Sequence, residues 1–571
     1  MTHWKYMPAR FKMSQHMHIS RLTLTSSILI ILVSLISFWK ISQIFFQQDE
    51  WLGLGGAVYR QETFGAWGSI IQVFNFQNRN ESTRFLPITS IANYLLYNNF
   101  GLNTGAYGLL SLAIAIICAL LINNIVYKLT NSYLISTGTS ILWITNNLAY
   151  QAFTWIGTMV PSLLTVLFFL LGLYFLLVFN EKKENRFYVI SIIFVVLSLF
   201  SKESGVFYLI TYSAVIWFFF KKEVNKLQKI KLTVLLFVPF LISIIFPRLL
   251  FSLYNQNNFS PSVASANRIE IAYNLFLIPA KSLFHVYFPQ KKIYELTYLA
   301  NNIHYSAQTN GFVVESIIAD SFSLLAAFYI LLMIFIAVLL TKDKERKIIY
   351  LSLISFFAST LPFIIFKNDA AVLESRFYIF PALWASLLLS STIFALFSRF
   401  GKFRNILMIL VFVPIVFYYV SGIHKSLAQD ILVGNYRKDI VNTVSEVKSE
   451  LKVNNIFYFY TDNNGFYEFQ SGFGQTLAVF LYDSGKIPKE VLTDRDYWDP
   501  SFEGLKSFSQ GKFGYFMTYT RLVEALKNNK DLSLDSVYSF YWDPQKHSVK
   551  NVSEDIREKL KKDITNEKVS L

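Results

Sequence analysis

Stretches of about 18 to 25 apolar residues alternate along this chain with short clusters of lysine and arginine. A run of that length, coiled as a helix, crosses a hydrocarbon core roughly 30 Å thick. No water reaches such a core, so each segment must satisfy its own backbone hydrogen bonds, and helix is the conformation that does so. The pattern predicts an all-α polytopic membrane protein of about 11 transmembrane helices. The predicted spans are residues 22–46, 107–127, 134–150, 161–179, 187–200, 205–220, 232–253, 316–340, 348–366, 377–397 and 406–420. Lys5, Arg10, Lys12 and Arg21 precede the first span, which places the N-terminus in the cytoplasm. Nearly every loop then assigned to the inside is basic, as in 181–186, 221–231, 342–347 and 399–404. The exception follows the second span, which offers only Lys128. No small-x-small cleavage site follows the first apolar run, so an uncleaved span is expected.

This topology divides the chain into a cytoplasmic segment, 1–21, a transmembrane domain, 22–421, and an extracytoplasmic region, 422–571. Two long outer loops, 47–104 and 254–315, interrupt the spans. Trp51–Phe64 and Leu86–Phe100 read as helices lying along the outer surface, and Ile269–Pro289 as an amphipathic stretch. Beyond Gly422 the pattern changes. Val441–Leu451, Gln475–Tyr482 and Arg521–Asn529 read as helices, and Asn455–Thr461, Phe513–Thr518 and Ser536–Trp542 as strands. Asn551–Lys568 reads as a charged helix or tail. A small extracytoplasmic α/β domain is therefore expected at the C-terminus.

The net charge of +15 sits largely in the short inner loops. It reports topology, and no nucleic-acid partner is expected. The single cysteine, Cys118, excludes an intramolecular disulfide and a cysteine-rich metal site, and reads as a small core residue.

Ionisable residues gather at the predicted outer ends of spans: Asp49 and Glu50, Arg84, Lys202 and Glu203, then Glu374 and Arg376 around Ser375. Each group alone has a plain explanation as a span boundary, a lipid anchor or a local salt bridge. Together they place carboxylates and three cations on one face. Such groups at a membrane surface are costly unless paired or lining a wet cavity, and the set suits an anionic lipid headgroup with an acid beside it. Trp143 and Trp155 read as interfacial anchors, His285 and His304 as surface histidines, and Asp320 as a secondary intramembrane acid.

The order of these motifs carries a resemblance. An acidic pair ends the first span (QQDEW, Gln47–Trp51), and a basic-plus-proline helix start follows (RFLPIT, Arg84–Thr89). Then come NYLLYNNFGLNTGAYGLLSL (Asn93–Leu112), LFSKESGVFYL (Leu199–Leu209) and ESRFYIFP (Glu374–Pro381). Over roughly residues 20–400 this resembles bacterial GT-C glycosyltransferases, including relatives of protein O-mannosyltransferases and of the membrane half of TPR-containing O-mannosyltransferases. The resemblance implies a GT-C-like membrane domain and a polyprenyl-phosphate-linked sugar as donor, with a protein, lipid or glycan acceptor. It implies Asp49, ahead of Glu50, as the general base. It also implies Arg84, Lys202 and Arg376 as cations on the donor phosphate, with Glu203 and Glu374 supporting them.

The sequence departs from that family in three places. The segment Tyr150–Ser162 holds no carboxylate, which removes an expected oxygen ligand, so no metal ligand is assigned and metal-independent chemistry is expected, with a divalent metal as the alternative. The second span has no histidine near Gly108–Ile116, and no TPR array follows. Three other functions fit parts of the pattern. A transporter or flippase of lipid-linked precursors would use the same cations but favours polar groups at the midplane. A non-catalytic membrane scaffold would tolerate Asp49→Asn. A ligase or polymerase of lipid-linked chains is the third. The plasma (inner) membrane of a prokaryote is the expected location.

Overall fold

A computed structural model describes residues 9–74, 85–220, 224–254, 267–288, 310–365, 373, 375–462, 473–499 and 501–566. Within these, residues 9–21, 48–49, 158, 251–254, 310–320 and 565–566 are described by their backbone alone. Each predicted span overlaps helix, although 134–150 is helical only as far as Ile144. The helices are α1 (Ala9–Ser37), α2 (Gln48–Gln72), α3 (Pro87–Phe100), α4 (Thr104–Thr130), α5 (Tyr133–Ile144), α6 (Ile156–Lys182), α7 (Asn185–Ser201) and α8 (Tyr208–Phe219). The seventh predicted span is helical from α9 (Lys226–Leu235) through Phe237–Phe240 to α10 (Phe246–Tyr254), with a π-turn at Leu241–Ile245 between them. Pro239 and Pro247 lack the N–H of a regular helix, which fits this local change of hydrogen-bonding pattern. There follow α11 (Arg268–His285), α12 (Asn310–Leu340), α13 (Asp343–Thr360), α14 (Ile379–Leu396) and α15 (Arg404–Glu446).

Among the described residues, six stretches are long and apolar enough to cross a bilayer alone: Leu22–Gln43, Thr104–Thr130, Met159–Lys182, Lys226–Leu250, Ser321–Leu340 and Ile379–Glu450. That is fewer than the eleven predicted. Tyr133–Ile144, Asn185–Ser201 and Glu203–Phe219 are apolar but shorter. A 12-residue helix such as α5 rises only about 18 Å.

Two expectations change. Trp143 is fully buried and its indole N–H donates to the Ile379 carbonyl at 3.0 Å, so it joins α5 to α14 and does not sit at the interface. In α11 only the first half is exposed. Lys281, Ser282 and His285 are buried. The His285 Nε2 lies 3.0 Å from Ser323 Oγ, and the Tyr378 hydroxyl donates to Ser282 Oγ at 3.3 Å. His285 is therefore an interior group. Cys118 is buried as expected, while His304 lies outside the described residues and the Asp320 side chain is not described.

The C-terminal region is a five-stranded sheet with order β2-β3-β1-β4-β5. Its strands are β1 (Asn455–Tyr460), β2 (Gly504–Phe508), β3 (Gly511–Phe516), β4 (Val537–Asp543) and β5 (Ser548–Asn551). The central β1 runs parallel to both β3 and β4, and the edge strands are antiparallel to their neighbours. Alternation along β1 sends Ile456 and Tyr458 to one face, against Leu522 and Leu526 of α17 (Tyr519–Asn528) and Ile556 and Leu560 of α18 (Ser553–Asn566). Phe457 and Phe459 go to the other face, with Phe473 and Leu477 of α16 (Phe473–Leu481). That second core is continuous with the membrane helices. It is continuous because the sheet domain sits directly on α2. A Cβ built on Gly55 would overlap the Leu492 carbonyl and crowd Val479. The linker is α15 itself, which runs unbroken past residue 422 to Glu446.

Candidate active site

The segment before and within the first turns of α6, Trp155 to Ser162, collects the site. A helix start exposes backbone N–H groups that need acceptors. Glu50, 3% exposed, supplies one: its Oε1 accepts the Gly157 N–H at 2.7 Å. Its Oε2 accepts the Gln47 N–H, closing a capping box at the start of α2. One carboxylate thus holds two helix starts together. Gly157 allows this approach, since a Cβ there would fall 2.9 Å from Glu50 Cγ. Asp49 occupies the first turn of α2 beside it. Its side chain is not described.

Lys202 caps the C-terminus of α7. Its Nζ donates to Ser162 Oγ at 3.0 Å and lies 5.3 Å from the centre of the Phe377 ring. Arg376 approaches the same ring at 5.2 Å and the Trp155 ring at 5.0 Å. The two cations are thus within about 10.5 Å of each other, the sum of their distances to the shared ring. Ser375 fixes this turn by donating to the Leu148 carbonyl. Trp155 therefore stacks on a cation inside the site.

Glu203 forms an ion pair with Arg248 of α10 at 3.5 Å. Lys202, Glu203, Arg248 and Phe377 line a cavity of about 250 Å³, whose remaining walls are mostly apolar and include Leu86, Phe240 and Phe363. By the sequence topology these residues come from the outer ends of their spans. Of the predicted site residues, Lys202 and Glu203 share the cavity, Arg376 shares the Phe377 ring with Lys202, and Glu50 binds the start of α6 at Gly157. Arg84 and Glu374 lie outside the described residues, although Leu86, two positions after Arg84, faces the cavity.

Sequence reasoning missed Ser162, Phe377 and Arg248. Arg248 had a usable signal, as the one basic residue in the apolar run 232–253. Ser162 and Phe377 had none, because their roles depend on which helices meet. The rim is tied to the linker helix α15: the Tyr150 hydroxyl donates to Asp430 Oδ2 at 2.7 Å, and Arg437 donates to the Phe46 carbonyl at 3.5 Å.

No known family model matches the sequence, and no curated protein matches it. Among solved structures the chain is similar to ArnT from Cupriavidus metallidurans. With the form bound to undecaprenyl phosphate the identity is 13%, over 80% of this chain and 84% of that one, at a TM-score of 0.35. With the apo form the identity is 12%, over 91% of this chain and 93% of that one, also at a TM-score of 0.35. At that TM-score no residue role is carried across.

Proposed function

We propose that this chain is a membrane glycosyltransferase that moves a sugar from a polyprenyl-phosphate donor to an acceptor hydroxyl at the outer face of the membrane, inverting the anomeric centre. The observation that carries this proposal is the placement of Lys202 and Arg376 on one aromatic ring, beside a cavity that also receives Arg248. The leaving group of such a transfer is a lipid phosphate. Negative charge grows on it as its bond to the sugar breaks, and fixed cations stabilise that charge more than they stabilise the ground state. The mostly apolar cavity walls strengthen each such interaction by excluding water.

In the proposed step the acceptor oxygen attacks the anomeric carbon. The carbon–oxygen bond to phosphate breaks, its electron pair leaves with the phosphate, and the hydroxyl proton passes to the Asp49 carboxylate. A single displacement inverts the centre. Glu50, already engaged by two backbone N–H groups, positions the first turn of α2 and with it Asp49. Arg376 offers a planar fork suited to two phosphate oxygens, and Lys202 a point charge. No metal is assigned a role. The contact of the sheet domain with α2 supports a part for that domain in acceptor binding. We place the protein in a prokaryotic inner membrane with its N-terminus inside.

The test is transfer from a radiolabelled polyprenyl-phosphate sugar by purified wild type and Asp49→Asn. Loss of at least about 100-fold in the variant is expected for removal of a general base. Equal transfer by both proteins would refute the assignment.

A further inference from the structure

The groups of the candidate site follow one another in order. At one end Glu50 holds the Gly157 N–H, with Asp49 beside it in the first turn of α2. Two residues before Gly157, the Trp155 ring carries Arg376. Arg376 and Lys202 then share the Phe377 ring. Lys202 and Phe377 are also the start of the cavity, which they line together with Glu203 and Arg248.

Local backbone sets the two neighbours Lys202 and Glu203 to different tasks. Lys202 is extended, at φ −161° and ψ 129°, and a 3-10 turn, Glu203–Phe207, follows it. Successive side chains along extended backbone point opposite ways. Lys202 thus turns to Ser162 of α6, while Glu203 turns to Arg248 of α10. Beyond Lys202 the cavity therefore offers one carboxylate already paired with one guanidinium, set among Leu86, Phe240, Ile244 and Phe363.

A lipid-linked sugar bound along this order has its sugar towards Asp49 and its chain towards the apolar walls. The phosphate joined to the sugar then meets Lys202 and Arg376. What comes next on the lipid side depends on the donor. In a monophosphate-linked donor it is the first methylene of the isoprenoid, which suits hydrocarbon walls. In a pyrophosphate-linked donor it is a second phosphate. That phosphate would enter a mostly apolar cavity beside the Glu203 carboxylate, where little water screens the repulsion between like charges. Arg248 could attract it only by giving up Glu203.

We propose that Glu203 is a specificity-determining residue, one that admits monophosphate-linked polyprenyl donors and rejects pyrophosphate-linked ones. This role rests on the donor reading proposed above. Glu203 acts by penalising the wrong ligand, as repulsive elements in selective sites do.

The test is competition between polyprenyl phosphate and polyprenyl pyrophosphate of equal chain length for the full-length protein in detergent, with retention read by native mass spectrometry. The wild type is expected to prefer the monophosphate by at least about tenfold. In Glu203→Gln the preference should fall to about threefold or less, through tighter retention of the pyrophosphate. Arg248→Gln takes its cation away from Glu203 and should widen the preference by about threefold. An equal preference in wild type and Glu203→Gln would overturn the role of Glu203, as would a wild type that favours the pyrophosphate. If the wild type retains neither lipid, the donor reading itself fails and this role falls with it. If Glu203→Gln does not fold, a preference in Arg248→Gln no wider than that of wild type overturns the proposal instead.

Discussion

The Glu50 carboxylate accepts the backbone N–H of Gly157 at 2.7 Å, across 107 residues of chain. With its second oxygen on the Gln47 N–H, it sets the start of α2 against the start of α6. Glu50 is thereby a structural acid, and the proposed base is its neighbour Asp49. In Glu50→Gln an amide NH₂ replaces one oxygen and faces a backbone donor. A loss of about 1–2 kcal/mol is expected, the cost of a broken cap, seen as a lower unfolding temperature. Asp49→Asn should abolish transfer and leave the unfolding temperature where it was. A drop in stability for Asp49→Asn and none for Glu50→Gln would reverse the two roles.

Lys202 and Arg376 should affect the same step. Each charge-assisted bond to phosphate contributes about 1.5–3 kcal/mol, so Lys202→Ala and Arg376→Ala should each lower kcat/KM for the donor by roughly 10- to 150-fold. Because both cations share the Phe377 ring, their effects should be non-additive in a double-mutant cycle. Arg376→Lys keeps the charge but loses the fork and should recover only part of the activity. Additive losses would mean that the two cations act at separate places.

Arg248 separates activity from stability. Its pair with Glu203 is long and partly exposed, with side chains 49% and 23% accessible, and such pairs contribute at most about 1 kcal/mol. Arg248→Ala should therefore leave the unfolding temperature nearly unchanged while raising the KM for donor several-fold. An unaltered KM would remove Arg248 from the site.

Burial, with the Lys281 charge adding to it, lowers the pKa of His285 to about 4. The folded protein keeps this ring neutral, whereas the unfolded chain takes up a proton near pH 6.5. Between pH 6.5 and 4 the unfolded state thus binds more protons, and stability is lost as pH falls through that window. The loss is at most about 3 kcal/mol. His285→Gln can still bond Ser323 but cannot titrate, so its stability should vary less over that range. The same pH slope in both proteins would refute this.

Gly55 lies where α2 touches the sheet domain, and any Cβ there overlaps the Leu492 carbonyl. Gly55→Val should loosen that docking. Hydrogen exchange in α16 and around Leu492 should rise, while the spans stay protected. Unchanged exchange would show that the domain does not depend on this contact.

Much of the fold was legible in sequence because membrane helices are written locally. Apolar length and basic loops placed a helix at each predicted span, and β-branched and aromatic content marked β1, with β3 and β4 read as strands beside it. The edge strands β2 and β5 went unread because, with one face open, they carry a weaker pattern. The π-turn between α9 and α10 had its signal in Pro239 and Pro247. Glu50, Lys202, Glu203 and Arg376 stood out in the sequence because charge at the end of an apolar run is unusual.

By itself the sequence determined which segments become helix and which ends of them carry charge, since each follows from local length, composition and the cost of placing polar groups in hydrocarbon. Only the tertiary structure decided partners: that Glu50 caps α6, that Phe377 gathers two cations, that Arg248 joins Glu203, and that His285 and Trp143 are interior. Those relations depend on how helices pack, and packing is set by side chains far apart in the chain whose meeting no local pattern records.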